Sequence, residues 1–343
     1  MKTIHSNRYY IAFSFPLILA LIFFLIKRLY PPLHLTFEEY IPSPWEIEWW
    51  TRADEWKGRE CEILTSLPHV TKVKKWLDTS EPSTRIQSQS FFDMSASCDV
   101  FSTLRYRTPS GTTIDIKIEP LVGILRDPRL PCAVDLGKQT WTPHNDNIQS
   151  KDFIFLDPIL SRLGRSLGLM QRRVILFDLG ASTFNDPDMP GLSWMYPKYA
   201  SMDLQLTDLY AWEVRKKEGF TFFESMPLAL SAATHFYNFG VDMDAGQDSP
   251  ANPIAVLKEV ARKEDYVIFK IDIEVVRIEE AVVEALIKDL RALELVDDLY
   301  WEHHVNIKSM KKWWAIESGD GVKRTMQYLR SLRNRGVRAH AWP

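Results

Sequence analysis

The sequence contains few cysteines and glycines, and it lacks the common zinc-binding and phosphate-binding motifs. Its 343 residues include three cysteines and 14 glycines. Cys61, Cys98 and Cys132 show neither C-x-x-C spacing nor another spacing typical of a zinc site. No P-loop occurs, and the adjacent His303 and His304 lack the i, i+4 spacing of a helical metal pair. These absences argue against the common zinc-protein and P-loop classes, and we expect no metal site.

Basic residues form no concentrated block anywhere in the chain. The 42 lysines and arginines are balanced by 45 aspartates and glutamates, which gives a formal net charge of -3. Nucleic-acid binding needs a basic face, so we expect no nucleic-acid partner. The length suits one large domain, or one domain with an appendage.

One long hydrophobic run, at residues 9–26, contains no charged side chain. A helix of about 18 residues would extend about 27 Å, enough to cross the hydrocarbon core of a bilayer. We therefore predict a single-pass anchor in the lipid bilayer, with a cleaved signal peptide as the alternative. Basic residues flank the run on both sides and leave its orientation open. A short tail, an anchor and a large C-terminal domain resemble the layout of type II enzymes of the Golgi or ER.

The remaining chain divides by composition into a stem, an extension and a larger domain. The predicted regions are 1–30 (tail and anchor), 31–90 (stem or linker), 91–172 (a small α+β extension) and 173–343. In the extension, alternating apolar and polar residues on both sides of a T-P-S-G turn predict a β-hairpin. A Cys98–Cys132 disulfide is one possibility in an oxidising lumen, and free thiols are the other.

From residue 173 onward, apolar strands alternate with amphipathic helices. Strands are predicted within residues 173–180, 206–214, 234–244, 266–274, 296–305 and 337–342. This alternation predicts an α/β fold, Rossmann-like, with a mostly parallel sheet and helices on both faces. Ligands of such sheets bind beyond the carboxyl ends of the strands.

Acidic residues follow these strands one after another, and two histidines follow the fifth. They are Asp178, Glu213, Asp242, Asp244, Asp272, Glu274 and Glu302, with His303 and His304 after them. A single acid in such a place is usually a solvated strand end or a helix cap. The series is more informative, because all of these side chains would open onto one crevice.

Residues 173–343 resemble a class I, Rossmann-like S-adenosylmethionine-dependent methyltransferase, most closely the FkbM-type branch and related membrane-anchored proteins. The resemblance is carried by "FDLGAS", "YAWEV", "VIFKIDIE" and "LYWEHHV" in that order, over about half of the chain. It implies S-adenosylmethionine as the cofactor and methyl transfer to oxygen or nitrogen of a small-molecule or glycan acceptor.

The resemblance also implies which residues bind the cofactor. These are Asp178, Gly180, Ser182, Glu213, Asp242 and Asp244. Gly180 would let the backbone pass close beneath the methionine part, and Glu213 would accept hydrogen bonds from the ribose hydroxyls. Asp242 or Asp244 would lie near the adenine. Ser182 and Phe184 occupy positions at which the family has glycine.

The expected catalytic residues are Asp272, His303 and His304. Asp272 would face the methyl donor and the acceptor. One histidine would take the acceptor proton, since imidazole titrates near neutrality. Adjacent strand residues point to opposite faces, so we expect only one histidine to face the crevice.

Two other classes of function remain open from the sequence. The D-x-D at residues 242–244 could bind a divalent ion and a sugar nucleotide, as in a Golgi-type glycosyltransferase. A non-catalytic binding module is the other class, with a sugar or lipid pocket lined by aromatic residues. The candidates for that pocket are Trp194, Tyr196, Trp301, Trp313 and Trp314.

Overall fold

A computed structural model describes residues 35–52, 101–121, 154, 156–157, 173–184, 191–217, 221–246, 248–304 and 321–342. Outside these ranges lie the run predicted as an anchor, the cysteines, Trp313 and Trp314. Among the described helices, none has the length and apolar character needed to cross a membrane.

The N-terminal part forms a small antiparallel sheet with the order β1-β2-β3. Its elements are β1 (Thr36–Ile41), α1 (Pro44–Arg52), β2 (Ser102–Arg107) and β3 (Thr113–Ile118). The pairing of β2 with β3 confirms the predicted hairpin. Residues 36–52 were expected in a stem, yet they form β1 and α1. The physical reason is that Trp45 and Trp49 are buried in the main hydrophobic core instead of facing solvent.

The C-terminal part forms a six-stranded sheet with the order β6-β5-β4-β7-β8-β9, in which every neighbouring pair is parallel. Its strands are β4 (Val174–Leu179), β5 (Asp208–Trp212), β6 (Thr234–Tyr237), β7 (Tyr266–Ile271), β8 (Asp298–Trp301) and β9 (Arg338–Ala341). Its helices are α2 (Leu192–Ser201), α3 (Leu228–Ala232), α4 (Pro253–Val260), α5 (Val276–Lys288), α6 (Leu290–Leu293) and α7 (Gly321–Arg333). The predicted parallel α/β sheet is therefore confirmed.

Two hydrophobic cores lie on opposite faces of the large sheet, and alternate residues of each central strand supply them. Phe177 and Phe269 stack on one face, with ring centroids 5.3 Å apart. Leu176 and Ile268 belong to the core on the other face. Because both faces are covered, β4 and β7 are buried along their whole length and read as continuous apolar runs.

A buried ion pair joins the small sheet to the large one. Arg333, at the end of α7, lies with its guanidinium 3.0 Å from the Glu119 carboxylate, and it also donates a hydrogen bond to the hydroxyl of Tyr40. The ring of His340 in β9 lies 2.9 Å from the same carboxylate. Because a buried charge needs its partner in place, these contacts fix the extension against the α/β sheet.

Asp298, at the start of β8, is the centre of a second buried polar cluster. Its carboxylate accepts hydrogen bonds from the hydroxyls of Tyr199 (2.6 Å) and Tyr266 (2.5 Å) and from the Arg338 guanidinium (2.6 Å). Burial raises the pKa of both tyrosines well above the ordinary value, so both remain donors. This cluster lies at the amino ends of the strands, opposite the crevice.

Asp298→Asn should lower the free energy of unfolding by about 3–5 kcal/mol, because it leaves the buried charge of Arg338 without its closest partner. The matched control is Glu294→Gln, which removes the exposed ion pair with Lys263 and should cost less than about 1 kcal/mol. Urea unfolding of the full-length chain followed by circular dichroism measures both. Equal losses for the two variants would contradict this account of Asp298.

Candidate functional site

The candidate site lies where the strand order reverses, between β4 and β7. The chain continues from β4 to β5 on one side of this point and from β7 to β8 on the other side. Because the two connections diverge, they leave a crevice at the carboxyl ends of β4 and β7. The N–H of Asp272 donates to the carbonyl of Leu179. The N–H groups of Gly180 and Ala181 both donate to the carbonyl of Trp212 at the end of β5. The turn after β4 is therefore held between its two neighbouring strands.

Residue 180 must be glycine because the loop after the neighbouring strand β7 passes close to it. Its φ is +88°, a conformation that favours glycine. A Cβ atom placed there would lie 1.6 Å from the carbonyl oxygen of Asp272. The sequence suggested that this glycine makes room for a ligand. In the structure it makes room for the loop after β7.

A buried lysine fixes the two aspartates predicted for the site. The Lys270 ammonium lies 3.0 Å from the Asp178 carboxylate and 3.0 Å from the Asp272 carboxylate. Burial alone would lower the pKa of Lys270, but the two carboxylates raise it above its ordinary value, so the ammonium stays charged. Asp178 is 2% exposed. Its role in this arrangement is to hold Lys270, while Asp272 reaches the crevice.

His304 joins Asp272 at the crevice. Its Nδ1 lies 2.6 Å from the carboxylate of Glu279, a fully buried residue in the first turn of α5, and its Nε2 lies 3.7 Å from Asp272 Oδ1. Burial alone would lower the pKa of His304, but Glu279, Glu302 and Asp272 raise it to about 9. The imidazole therefore carries its proton at neutral pH and acts as a donor there.

His303 points away from Asp272, as expected for the neighbour of His304 on a strand. Its Nδ1 lies 2.7 Å from the Thr325 hydroxyl, and its ring stacks on Trp301 with centroids 4.0 Å apart. Burial, with the nearby charges of Arg324 and His304, lowers its pKa to about 3, so this ring is neutral. The structure thus brings only one of the two histidines to Asp272.

Glu213 lies at the end of β5, directly after the residue that binds the Gly180 turn. Its carboxylate accepts a hydrogen bond from the N–H of Arg215 at 2.6 Å and lies 3.9 Å from the Lys217 ammonium. The side chain of Asn238 donates to the carbonyls of Glu213 and Arg215. The loop is thereby held with a buried carboxylate at the carboxyl end of β5.

Phe184 does not obstruct the turn after β4. Its side chain is buried in the core on the α2 face, where it meets Tyr196 edge to face with centroids 6.1 Å apart. Ser182 lies in the turn between β4 and Phe184 and is half-buried. The side chain at residue 184, where the methyltransferases that the sequence resembles have glycine, is therefore directed into the protein interior.

Asp242 and Asp244 lie in an exposed turn beyond β6. The carboxylate of Asp242 accepts the N–H of Asp244 at 2.9 Å, which is an Asx turn. In the part of the chain that the structure describes, the group of three potential metal ligands with close donor atoms is Asp272, Glu302 and His304. The D-x-D is outside that group.

Three of the aromatic residues considered for a pocket, Trp194, Tyr196 and Trp301, pack against other rings or into the core. Trp301 is 1% exposed and belongs to the core. Trp194 packs edge to face against Tyr300 and Trp342, and Tyr196 packs on Phe184. Packing contacts therefore explain the positions of all three rings.

The sequence analysis missed Lys270 and Glu279, the two residues that position the site. The sequence did contain a signal for Lys270, because this lysine lies within an otherwise apolar strand and lysine is seldom buried without a partner. Glu279 had no comparable signal, because an acid in the first turn of a helix is usual. Comparison with protein-family models, curated proteins and solved structures finds no match, so the chemistry of this site rests on its own residues.

Gly180→Ala should destabilise the chain far more than Gly111→Ala does. Both glycines have a positive φ, +88° and +86°, but a Cβ at Gly111 meets nothing within 4 Å. The left-handed conformation alone costs about 1–2 kcal/mol, and Gly180→Ala must also displace the Asp272 carbonyl. We expect a loss of more than about 3 kcal/mol for Gly180→Ala, measured by urea unfolding. Equal losses in the two variants would refute the close contact.

Proposed function

We propose that this protein transfers a methyl group from S-adenosylmethionine to an oxygen or nitrogen of a small-molecule or glycan acceptor. The observation that carries the proposal is the buried carboxylate of Glu213 beside the Gly180 turn, at the point where the strand order reverses. An acid at the end of the second strand of such a sheet binds ribose hydroxyls. The sequence resemblance over residues 173–343 supports the same chemistry.

The residues at the crevice fit such a cofactor. Glu213 would accept hydrogen bonds from the ribose, and the backbone of Ala181 and Ser182 would pass beneath the methionine part. Phe184 packs into the core on the α2 face. The cofactor, when bound, supplies an electrophilic methyl group. The task of the protein is then to align the acceptor atom with that group and to exclude water.

Asp272 is the best-placed base for the acceptor. Lys270 holds its Oδ2 at 3.0 Å, while Oδ1 is directed toward His304. Oδ1 can therefore accept the proton of an acceptor hydroxyl as the methyl group is transferred. His304, which is protonated at neutral pH by the carboxylates around it, would donate a hydrogen bond and orient the acceptor.

The test is calorimetric titration of the full-length chain with S-adenosylmethionine and S-adenosylhomocysteine. Glu213→Gln should weaken binding at least about tenfold, because a charged hydrogen-bond acceptor is lost while the amide can still bind the Arg215 N–H. Asp208→Asn is the control. Asp208 is an acid of the same strand at the opposite end, and its substitution should leave the dissociation constant unchanged.

The absence of binding to a chain that retains its circular-dichroism spectrum would overturn the proposal. So would equal affinity of the Glu213→Gln variant and the unmodified chain. Metal-dependent binding of uridine or guanosine diphosphate sugars that is lost in Asp242→Ala and Asp244→Ala would favour a glycosyltransferase in its place. Failure to bind any nucleotide would favour a non-catalytic binding module.

A further inference from the structure

We propose that Asp272, Glu302 and His304 bind a divalent first-row metal ion such as Mn²⁺ at the crevice. These three residues, called the ligand group below, follow the neighbouring strands β7 and β8. Each offers one donor atom, and the three donor atoms lie within 4.8 Å of one another. The proposal goes beyond methyl transfer and does not depend on the cofactor.

The spacing of the donor atoms suits an ion placed between them. Ligands at about 2.0–2.2 Å from a metal lie about 3–4.4 Å from one another, depending on the geometry. His304 Nε2 and Asp272 Oδ1 are already 3.7 Å apart. The three donor atoms all lie within 4.8 Å of one another, which exceeds this range by a few tenths of an ångström at most.

Two residues outside the ligand group hold its donor atoms in position. Glu279 binds Nδ1 of His304 at 2.6 Å, which directs Nε2 toward Asp272. Lys270 binds Oδ2 of Asp272 at 3.0 Å, which leaves Oδ1 facing the histidine. A carboxylate on the far nitrogen of a histidine is the usual support of a metal-binding imidazole, since it fixes the tautomer and the ring orientation.

The local charge is an independent argument for a cation. Asp178, Asp272, Glu279 and Glu302 surround the single ammonium of Lys270 and the imidazole of His304, counted over the described residues. Asp178 and Glu279 are buried, so water screens these carboxylates poorly. A divalent ion would be attracted to these carboxylates.

The donor set selects the kind of metal. Carboxylates suit Mn²⁺ and Mg²⁺, whereas an imidazole nitrogen favours transition metals such as Zn²⁺, Fe²⁺ or Mn²⁺ over Mg²⁺. Three protein ligands leave coordination positions open, and an oxygen of a substrate could occupy them. Binding of the ion would release the proton of His304, and Asp272 Oδ1 and His304 Nε2 would then be ligands. The ion, in place of these two groups, would hold the acceptor oxygen.

Mn²⁺ binding to the full-length chain, stripped of metal with EDTA and dialysed, tests the proposal. Electron paramagnetic resonance detects free Mn²⁺, and its decrease on addition of the protein should correspond to one binding site per chain. Pulsed electron paramagnetic resonance should detect a nitrogen bound directly to the ion. Glu302→Gln and His304→Gln should weaken binding at least tenfold, and His304→Gln should remove the nitrogen signal. Glu279→Gln should weaken binding by about 10–100-fold through the orientation of the histidine.

Glu274→Gln is the matched control. Glu274 lies two residues beyond Asp272 but pairs with Arg215 on the surface, so its substitution removes a nearby charge without removing a ligand. Its Mn²⁺ affinity should stay within twofold of that of the unmodified chain. Losses as large as those in Glu302→Gln would show non-specific attraction and overturn the proposal.

Absence of the nitrogen signal in the folded, unmodified chain would also overturn the metal site, whether or not the histidine variant folds. Titration with S-adenosylmethionine in the presence of EDTA separates the two proposals. Cofactor binding without any Mn²⁺ binding would refute the metal site alone. Mn²⁺ binding to the ligand group without cofactor binding would refute the methyltransferase and retain the metal site.

Discussion

The rest of the candidate site depends on the buried ammonium of Lys270. It lies in the middle of an apolar sheet, where an unpaired charge would be strongly unfavourable, and two carboxylates from neighbouring strand ends surround it. The contact fixes Asp178 beneath the β4 turn and directs Asp272 outward. The Gly180 turn then closes against the Asp272 carbonyl. One ion cluster and one glycine thus determine where the ends of β4 and β7 meet, and therefore where a ligand can approach.

Two adjacent histidines acquire opposite protonation because the strand directs them to different surroundings. His304 meets three carboxylates and keeps its proton. His303 is buried against Trp301 and Thr325 and stays neutral. The chemical difference comes from the neighbours, since the two side chains are identical and both are buried. A pair of histidines in a sequence therefore says little about acid–base function until the facing residues are known.

Periodicity predicted the six strands of the α/β domain, because burial on both faces of a parallel sheet requires continuous apolar runs, but it did not indicate α2 or α3. It also predicted the β2–β3 hairpin. It failed for residues 36–52, where prolines and tryptophans suggested a stem although Trp45 and Trp49 pack into the core. The support of the site could not be predicted, because Glu279 and His304 are 25 residues apart and their contact depends on how α5 packs over β8.

The strand order also divides the crevice into two halves of different character. The β5 half presents the carboxylate of Glu213 beside the Gly180 turn, where we propose that the nucleoside binds. The β7 and β8 half presents the ligand group, which suits a cation or a substrate oxygen. The close approach of Gly180 to the Asp272 carbonyl lies between the two halves and connects the β4 turn to the loop after β7. A ligand that displaces Asp272 would therefore move the β4 turn as well, so binding in one half should alter affinity in the other by the same factor in both directions.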